Sequence, residues 1–142
     1  MLATKDGLLR VISTEPSFRR EEMRMAKVAI VLLADTETHG DLGRMANALT
    51  TATDFKEAGD ESTIVFDGAG TKWVAELSNP DHQYHEVFES VKDQVAGACS
   101  YCSSAFGVKE EVEASGVPLL EEHEGHPSLQ KLVSQDYQVI TF

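Results

Sequence analysis

Apolar positions along this chain follow two rhythms. Short continuous runs rich in β-branched residues recur. Between them lie stretches whose apolar residues return every three or four positions. The run KVAIVLLA over residues 27–34 is the clearest of the first kind. A run that is apolar on both faces predicts a strand buried in a parallel sheet. Residues 62–66, 95–98, 117–120 and 138–142 repeat the pattern in shorter form. The helical rhythm is longest over residues 41–58, where Leu42, Met45, Ala46, Leu49, Ala52 and Thr53 share a face. Asp41 is the expected cap and Gly59 the residue past the end. Residues 71–77 predict a short helix carrying Trp73, Val74 and Leu77. Asn79-Pro80-Asp81 opens a helix expected over 82–94, with Tyr84, Val87, Phe88 and Val91 inward. Short helices are expected up to Phe106 and over 109–114, ended by Gly107 and Gly116. The last is expected over 128–135, with Leu129, Leu132 and Val133 inward.

Strands alternating with helices predict an α/β fold. The expected architecture is a three-layer α/β/α sandwich around a mostly parallel five-stranded sheet, forming one domain over residues 25–142. Residues 1–24 read as an N-terminal arm or extension, with Met25 as a possible natural start. Ligands of parallel sheets bind outside the carboxyl ends of the strands. That rule gathers the loops 35–40, 67–70 and 99–102 on one edge. The candidate pocket residues there are His39, Gly40, Asp67, Gly68, Gly70 and Ser100.

Charge narrows the partners. The chain has 24 acidic against 12 basic residues, a formal net charge of −12. Residues 1–24 hold five of the basic and four of the acidic ones, which leaves 7 basic and 20 acidic residues for the body. Such a surface repels nucleic acid and anionic lipid, so neither is an expected partner. An acidic, lysine-poor surface suits plain solubility and also a high-salt, halophilic archaeal cytoplasm. No apolar run reaches the ~18 residues that a membrane span needs. The expected compartment is a reducing cytoplasm, in which cysteines stay free or bind metal.

Cys99 and Cys102 are the only cysteines in the chain. Cys99 closes the 95–98 run, where a strand passes into a helix, and a helix start favours a thiolate. Several uses of the pair are open on sequence alone. A thiolate accepts sulfane sulfur, and a second thiol one turn on resolves it. A redox Cys-x-x-Cys pair and two inert buried hydrophobes are others. A metal site is a further one: Cys99 and Cys102 with His123 and His126 supply four zinc ligands. His39 is placed to lower a neighbouring thiol's pKa, whereas Asp35, Glu37 and Asp67 would raise it. The Gly68-Ala-Gly70 pair lacks both the third glycine of a dinucleotide loop and the lysine of a P-loop, so it reads as a tight turn. No cofactor is expected.

These parts together resemble a known family. The succession of the 27–34 strand, the 40–58 helix, residues 62–67 and the cysteine strand-turn is similar to the DsrE/DsrF-like family. The most specific match is Cys99 followed eight residues on by Gly107-Val108, and the terminal 138–142 strand also fits. This is the sulfur-relay family that includes the DsrE and TusD subunits. The resemblance covers about residues 26–142. It implies the three-layer sandwich and homo- or hetero-oligomers, trimers or hexamers. In catalytic members it implies a persulfide on the matching cysteine, here Cys99. The expected function is a sulfur carrier or sulfurtransferase, with sulfur-donor and acceptor proteins or small sulfur species as partners. Its alternative is a non-enzymatic oligomeric binding or regulatory module, with a small-ligand or metal site at the strand carboxyl edge.

Overall fold

The computed structural model describes residues 25–142, so the arm expected over residues 1–24 lies outside the described residues. Five strands form one sheet: β1 (Lys27–Leu32), β2 (Glu61–Phe66), β3 (Val95–Cys99), β4 (Leu119–Leu120) and β5 (Gln138–Thr141). Their order is β4-β3-β2-β1-β5, and every pairing is parallel. Six helices are described: α1 (His39–Glu57), α2 (Lys72–Ser78), α3 (His85–Val91), α4 (Ser100–Ala105), α5 (Lys109–Ser115) and α6 (Leu129–Ser134). A single 3-10 turn, Gly68–Thr71, leads into α2, and another, Lys92–Gln94, follows α3.

The strand order sorts the helices into layers. From β1 to β4 each step crosses the sheet in the same direction. Right-handed crossovers then put α1 to α5 on one face. Their mutual packing agrees, since α1 meets α3, and α2 meets both α3 and α5. The step from β4 to β5 runs back across the sheet, so the same handedness puts α6 on the opposite face. The first face holds the main core. Val28, Ile30, Leu32, Ile64, Phe66 and Ala98 of the sheet pack against Met45, Leu49, Trp73, Leu77, Phe88 and Val112. Phe66 and Phe88 meet edge to face at 6.1 Å.

Several local expectations shift, each for a visible reason. Thr38 rather than Asp41 is the N-cap of α1. Asp41 sits three residues on and returns a bond to the Thr38 N–H, so the two form a capping box. The helix expected over 82–94 starts at His85. Ahead of it, Asn79 Oδ1 accepts the Asp81 N–H and His82 Nδ1 accepts the Tyr84 N–H, which holds those residues in turns. The strand expected over 117–120 shortens to two residues. Pro118 has no N–H for the ladder, although its carbonyl still accepts the Ala98 N–H. On α6, Leu132 is half-buried but Leu129 and Val133 are 37% and 60% exposed, against the inward reading of all three. Leu132 lines a cleft with Val65 and Ala96, together with Ser128, Lys131 and Gln135, and this rotation turns Leu129 and Val133 away.

The Gly68–Gly70 pair is a packing device, as the tight-turn reading expects. A Cβ on Gly70 would stand 2.0 Å from the Leu32 carbonyl oxygen, because the 3-10 turn lies against the end of β1. Trp73 ties the same corner by donating its indole N–H to the Ala34 and Asp35 carbonyls. Gly70→Ala is therefore expected to cost about 3 kcal/mol through forced backbone movement. Gly43→Ala is its control: that site has open space inside α1, and the change is expected to be neutral or stabilising by up to about 1 kcal/mol. Urea unfolding of the two variants checks this, and equal midpoints would contradict the close approach.

Candidate functional site

β3 ends at Cys99, which is fully buried and serves as the N-cap of α4. Its sulfur takes the place that a Ser or Asn oxygen usually fills, accepting the Cys102 N–H at 3.2 Å. The Ser103 hydroxyl donates to the Cys99 carbonyl at 2.7 Å and fixes the strand-to-helix turn. Cys102 is 9% exposed, and its Sγ lies 3.5 Å from Asp67 Oδ1. Asp67 follows β2 and caps the 3-10 turn by accepting the Gly68 N–H at 2.9 Å.

The loop after β4 supplies the fourth wall. His123 and His126 pair through both backbone bonds, at 2.9 and 2.8 Å. Between them Glu124 and Gly125 both have positive φ, 50° and 85°, as a tight two-residue hairpin turn requires. The Gly125 carbonyl accepts the Tyr101 N–H at 2.9 Å, which fastens this hairpin to the start of α4. His126 is thereby set with Nδ1 3.3 Å from Cys99 Sγ, its ring tilted against Tyr101 at 5.0 Å. One ligand-type atom from each of Asp67, Cys99, Cys102 and His126 falls within 4.8 Å of all the others. The location follows from topology. α4 leaves β3 toward one face and the chain after β4 leaves toward the other, so the sheet's carboxyl edge opens between these two strands.

The electrostatics reverse the expectation of a resting thiolate. Burial pushes the Cys99 thiol up to about 12, and the Cys102 side chain beside it adds to the rise. The Cys102 N–H works the other way but does not win, and the Asp67 charge adds a smaller push upward. A buried thiolate forfeits its hydration, and the start of a six-residue helix does not replace it. Cys99 therefore rests as a thiol with an imidazole nitrogen in reach.

Of the sequence candidates, Cys99, Cys102 and Asp67 meet in one cluster. Ser100 opens α4 beside them and is half-buried. His39 and Gly40 open α1 and are exposed; the imidazole against Cys99 is that of His126. Gly68, at φ 56°, and Gly70 shape the turn. Of the four residues in the alternative metal reading, His123 is exposed and joins the hairpin through its backbone, and Asp67 stands with the other three instead. Asp35 and Glu37 form ion pairs with Lys72 at 2.7 and 3.2 Å. The Lys72 ammonium and the Thr36 N–H hold the Asp35 carboxyl below its usual range. His126 entered the sequence reading only as an alternative zinc ligand beside Cys99; its place as the imidazole in hydrogen-bond reach of that thiol was not expected. The available signal was that the loop after the fourth parallel strand reaches the same edge as the other three.

Comparison with known proteins identifies the family. The model of the DsrE/DsrF-like family matches residues 26–142. An uncharacterized protein of Methanocaldococcus jannaschii is 35% identical over 96 residues, covering 68% of this chain and 78% of its own. Among solved structures, a conserved protein of unknown function from Bacteroides thetaiotaomicron superposes with a TM-score of 0.55. That match covers 80% of this chain and 94% of the other at 18% identity, a likeness of fold alone.

The raised thiol sets a pH dependence. A cysteine whose pKa is raised reacts only through the small thiolate fraction present below that pKa. In the folded, metal-free protein, carbamidomethylation of Cys99 is expected to quicken about tenfold per pH unit from pH 7 through pH 10. An ordinary thiol levels off near about 8.5. Peptide mapping after timed alkylation follows it, and a plateau below pH 8 would contradict the raised thiol.

Proposed function

Because this chain belongs to the DsrE/DsrF-like family, we propose that it carries sulfane sulfur as a persulfide on Cys99. The observation that carries this reading is the 3.3 Å contact between Cys99 Sγ and His126 Nδ1 at the carboxyl edge of the sheet. A thiol that rests protonated needs a base when it attacks, and the imidazole is in hydrogen-bond reach. His126 takes the Cys99 proton as the sulfur attacks the outer sulfur of a donor persulfide, R–S–SH. The donor's S–S bond breaks, Cys99–S–SH forms, and the departing thiolate takes a proton back from His126 to leave as R–SH. The sulfane sulfur keeps its oxidation state, so no external oxidant or reductant enters.

Two exits follow. An acceptor thiolate attacks the outer sulfur and regenerates the Cys99 thiol. Otherwise Cys102 attacks the inner sulfur, forming a Cys99–Cys102 disulfide and releasing hydrogen sulfide. Both cysteines are free thiols, as either route requires. The partners of this reading are sulfur-donor and acceptor proteins or small sulfur species, met in a reducing cytoplasm by a trimer or hexamer of the chain. Among the described residues no helix is long and apolar enough to cross a membrane.

Incubation of metal-free protein with polysulfide or thiosulfate, which leave one sulfane sulfur on a thiol, followed by intact mass measurement, tests the reading. One added sulfur atom is expected in Cys102→Ser and none in Cys99→Ser, while the wild type shows the added sulfur or the loss of two hydrogens that marks the Cys99–Cys102 disulfide. His126→Ala is expected to slow the gain about 100-fold near neutral pH, as loss of a general base does. Absence of any adduct in Cys102→Ser with both donors would remove Cys99 as a carrier. Light scattering is expected to return the mass of three or six copies, and a monomer would remove that part of the proposal.

A further inference from the structure

Asp67, Cys99, Cys102 and His126 come from four separate places in the chain: the end of β2, the end of β3, the first turn of α4 and the hairpin after β4. Their ligand-type atoms nevertheless lie within 4.8 Å of one another. We propose that these four side chains bind one zinc ion in tetrahedral S2NO coordination. The inference stands apart from the sulfur reading and does not need it.

The donor set points to the metal class. Two sulfurs with an imidazole favour zinc over the hard cations, which take all-oxygen sites. The spacing Cys99-x2-Cys102 is that of the paired thiolates in structural zinc sites. The geometry is close to assembled. Zn–S bonds of about 2.3 Å and Zn–N or Zn–O bonds of about 2.1 Å put tetrahedral ligand atoms roughly 3.5 Å apart. Cys99 Sγ to His126 Nδ1 is 3.3 Å, and Cys102 Sγ to Asp67 Oδ1 is 3.5 Å. These are two opposite edges of the required tetrahedron. The remaining separations, at most 4.8 Å, close by side-chain movements of about an ångström.

The surroundings suit a bound ion. The Cys102 N–H already points at Cys99 Sγ at 3.2 Å, the bond that steadies a metal-held thiolate. His126 is oriented by the hairpin and by Tyr101, and Asp67 by the Gly68 N–H. Such outer contacts fix a ligand's direction before the metal arrives. Binding displaces one proton from each thiol into solvent, with no change of oxidation state. The chelate is also exclusive: a zinc-held Cys99 is not free to attack a sulfur donor.

The full chain, stripped with EDTA and checked for folding by circular dichroism, is titrated with zinc against a chromophoric chelator and with cobalt by absorbance. One ion per chain is expected. The cobalt form is expected to show the intense visible bands of a tetrahedral site and a near-ultraviolet thiolate-to-cobalt band. Asp67→Ala and His126→Ala are each expected to weaken zinc by more than about tenfold, beyond what loss of an outer-shell contact brings at its mildest. Cys99→Ser and Cys102→Ser each lower the thiolate band. His123→Ala is expected to leave affinity within about twofold. Should Asp67→Ala unfold, His126→Ala and the wild-type cobalt spectrum still decide. The proposal falls if folded wild type takes up less than one ion, or if the cobalt spectrum is octahedral. It also falls if His123→Ala weakens zinc while His126→Ala does not. Persulfide formation by the stripped protein is scored separately, so a failed relay and a failed zinc site remain distinguishable.

Discussion

The handedness of parallel crossovers is the constraint on which the rest of this molecule depends. Each strand from β1 to β4 is laid down beside the last in one direction, and α1 to α5 must cover the same face. The return to β5, on the far side of β1, forces the last connection over the other face. Only between β3 and β4 do neighbouring strands send their chains to opposite faces. The gap made there receives Cys99 from one side and the 123–126 hairpin from the other. Asp67 arrives because β2 is the other neighbour of β3.

The same burial that defines the site sets its chemistry. Cys99 is wholly enclosed, so its thiol is hard to ionise even at a helix start. An enclosed thiol of this kind takes part in reactions only when a neighbour accepts its proton or a cation replaces it. His126 stands where it serves either purpose: as a base toward Cys99 or as a ligand beside it. Sulfur transfer and zinc binding are thus two uses of one arrangement, and they draw on the same sulfur.

Most of the fold was legible along the chain. Residues 27–34 announce a strand buried on both faces because they carry apolar side chains without alternation, and in β1 every residue from Val28 to Leu32 is buried. Gly59, Gly107 and Gly116 mark chain turns where a positive φ is required. The errors fell where side-chain hydrogen bonds or proline compete with regular structure. Thr38 displaced Asp41 as a cap, Asn79 and His82 held back α3, and Pro118 cut β4 short. Each of these is settled by one or two bonds that periodicity does not register.

For the site, the division is sharper. The sequence by itself determined the element types, the strand that Cys99 closes, and the pairing of two sulfurs one helical turn apart. It did so because periodicity and spacing are local properties of the chain. Tertiary structure alone decided that His126 rather than His39 faces Cys99, that Asp67 rather than His123 joins the cysteines, and that Cys99 rests as a buried thiol. These residues lie far apart in the chain and meet only after the sheet order fixes which loops share an edge. Desolvation, likewise, depends on what surrounds a group in space, and no spacing along the chain encodes it.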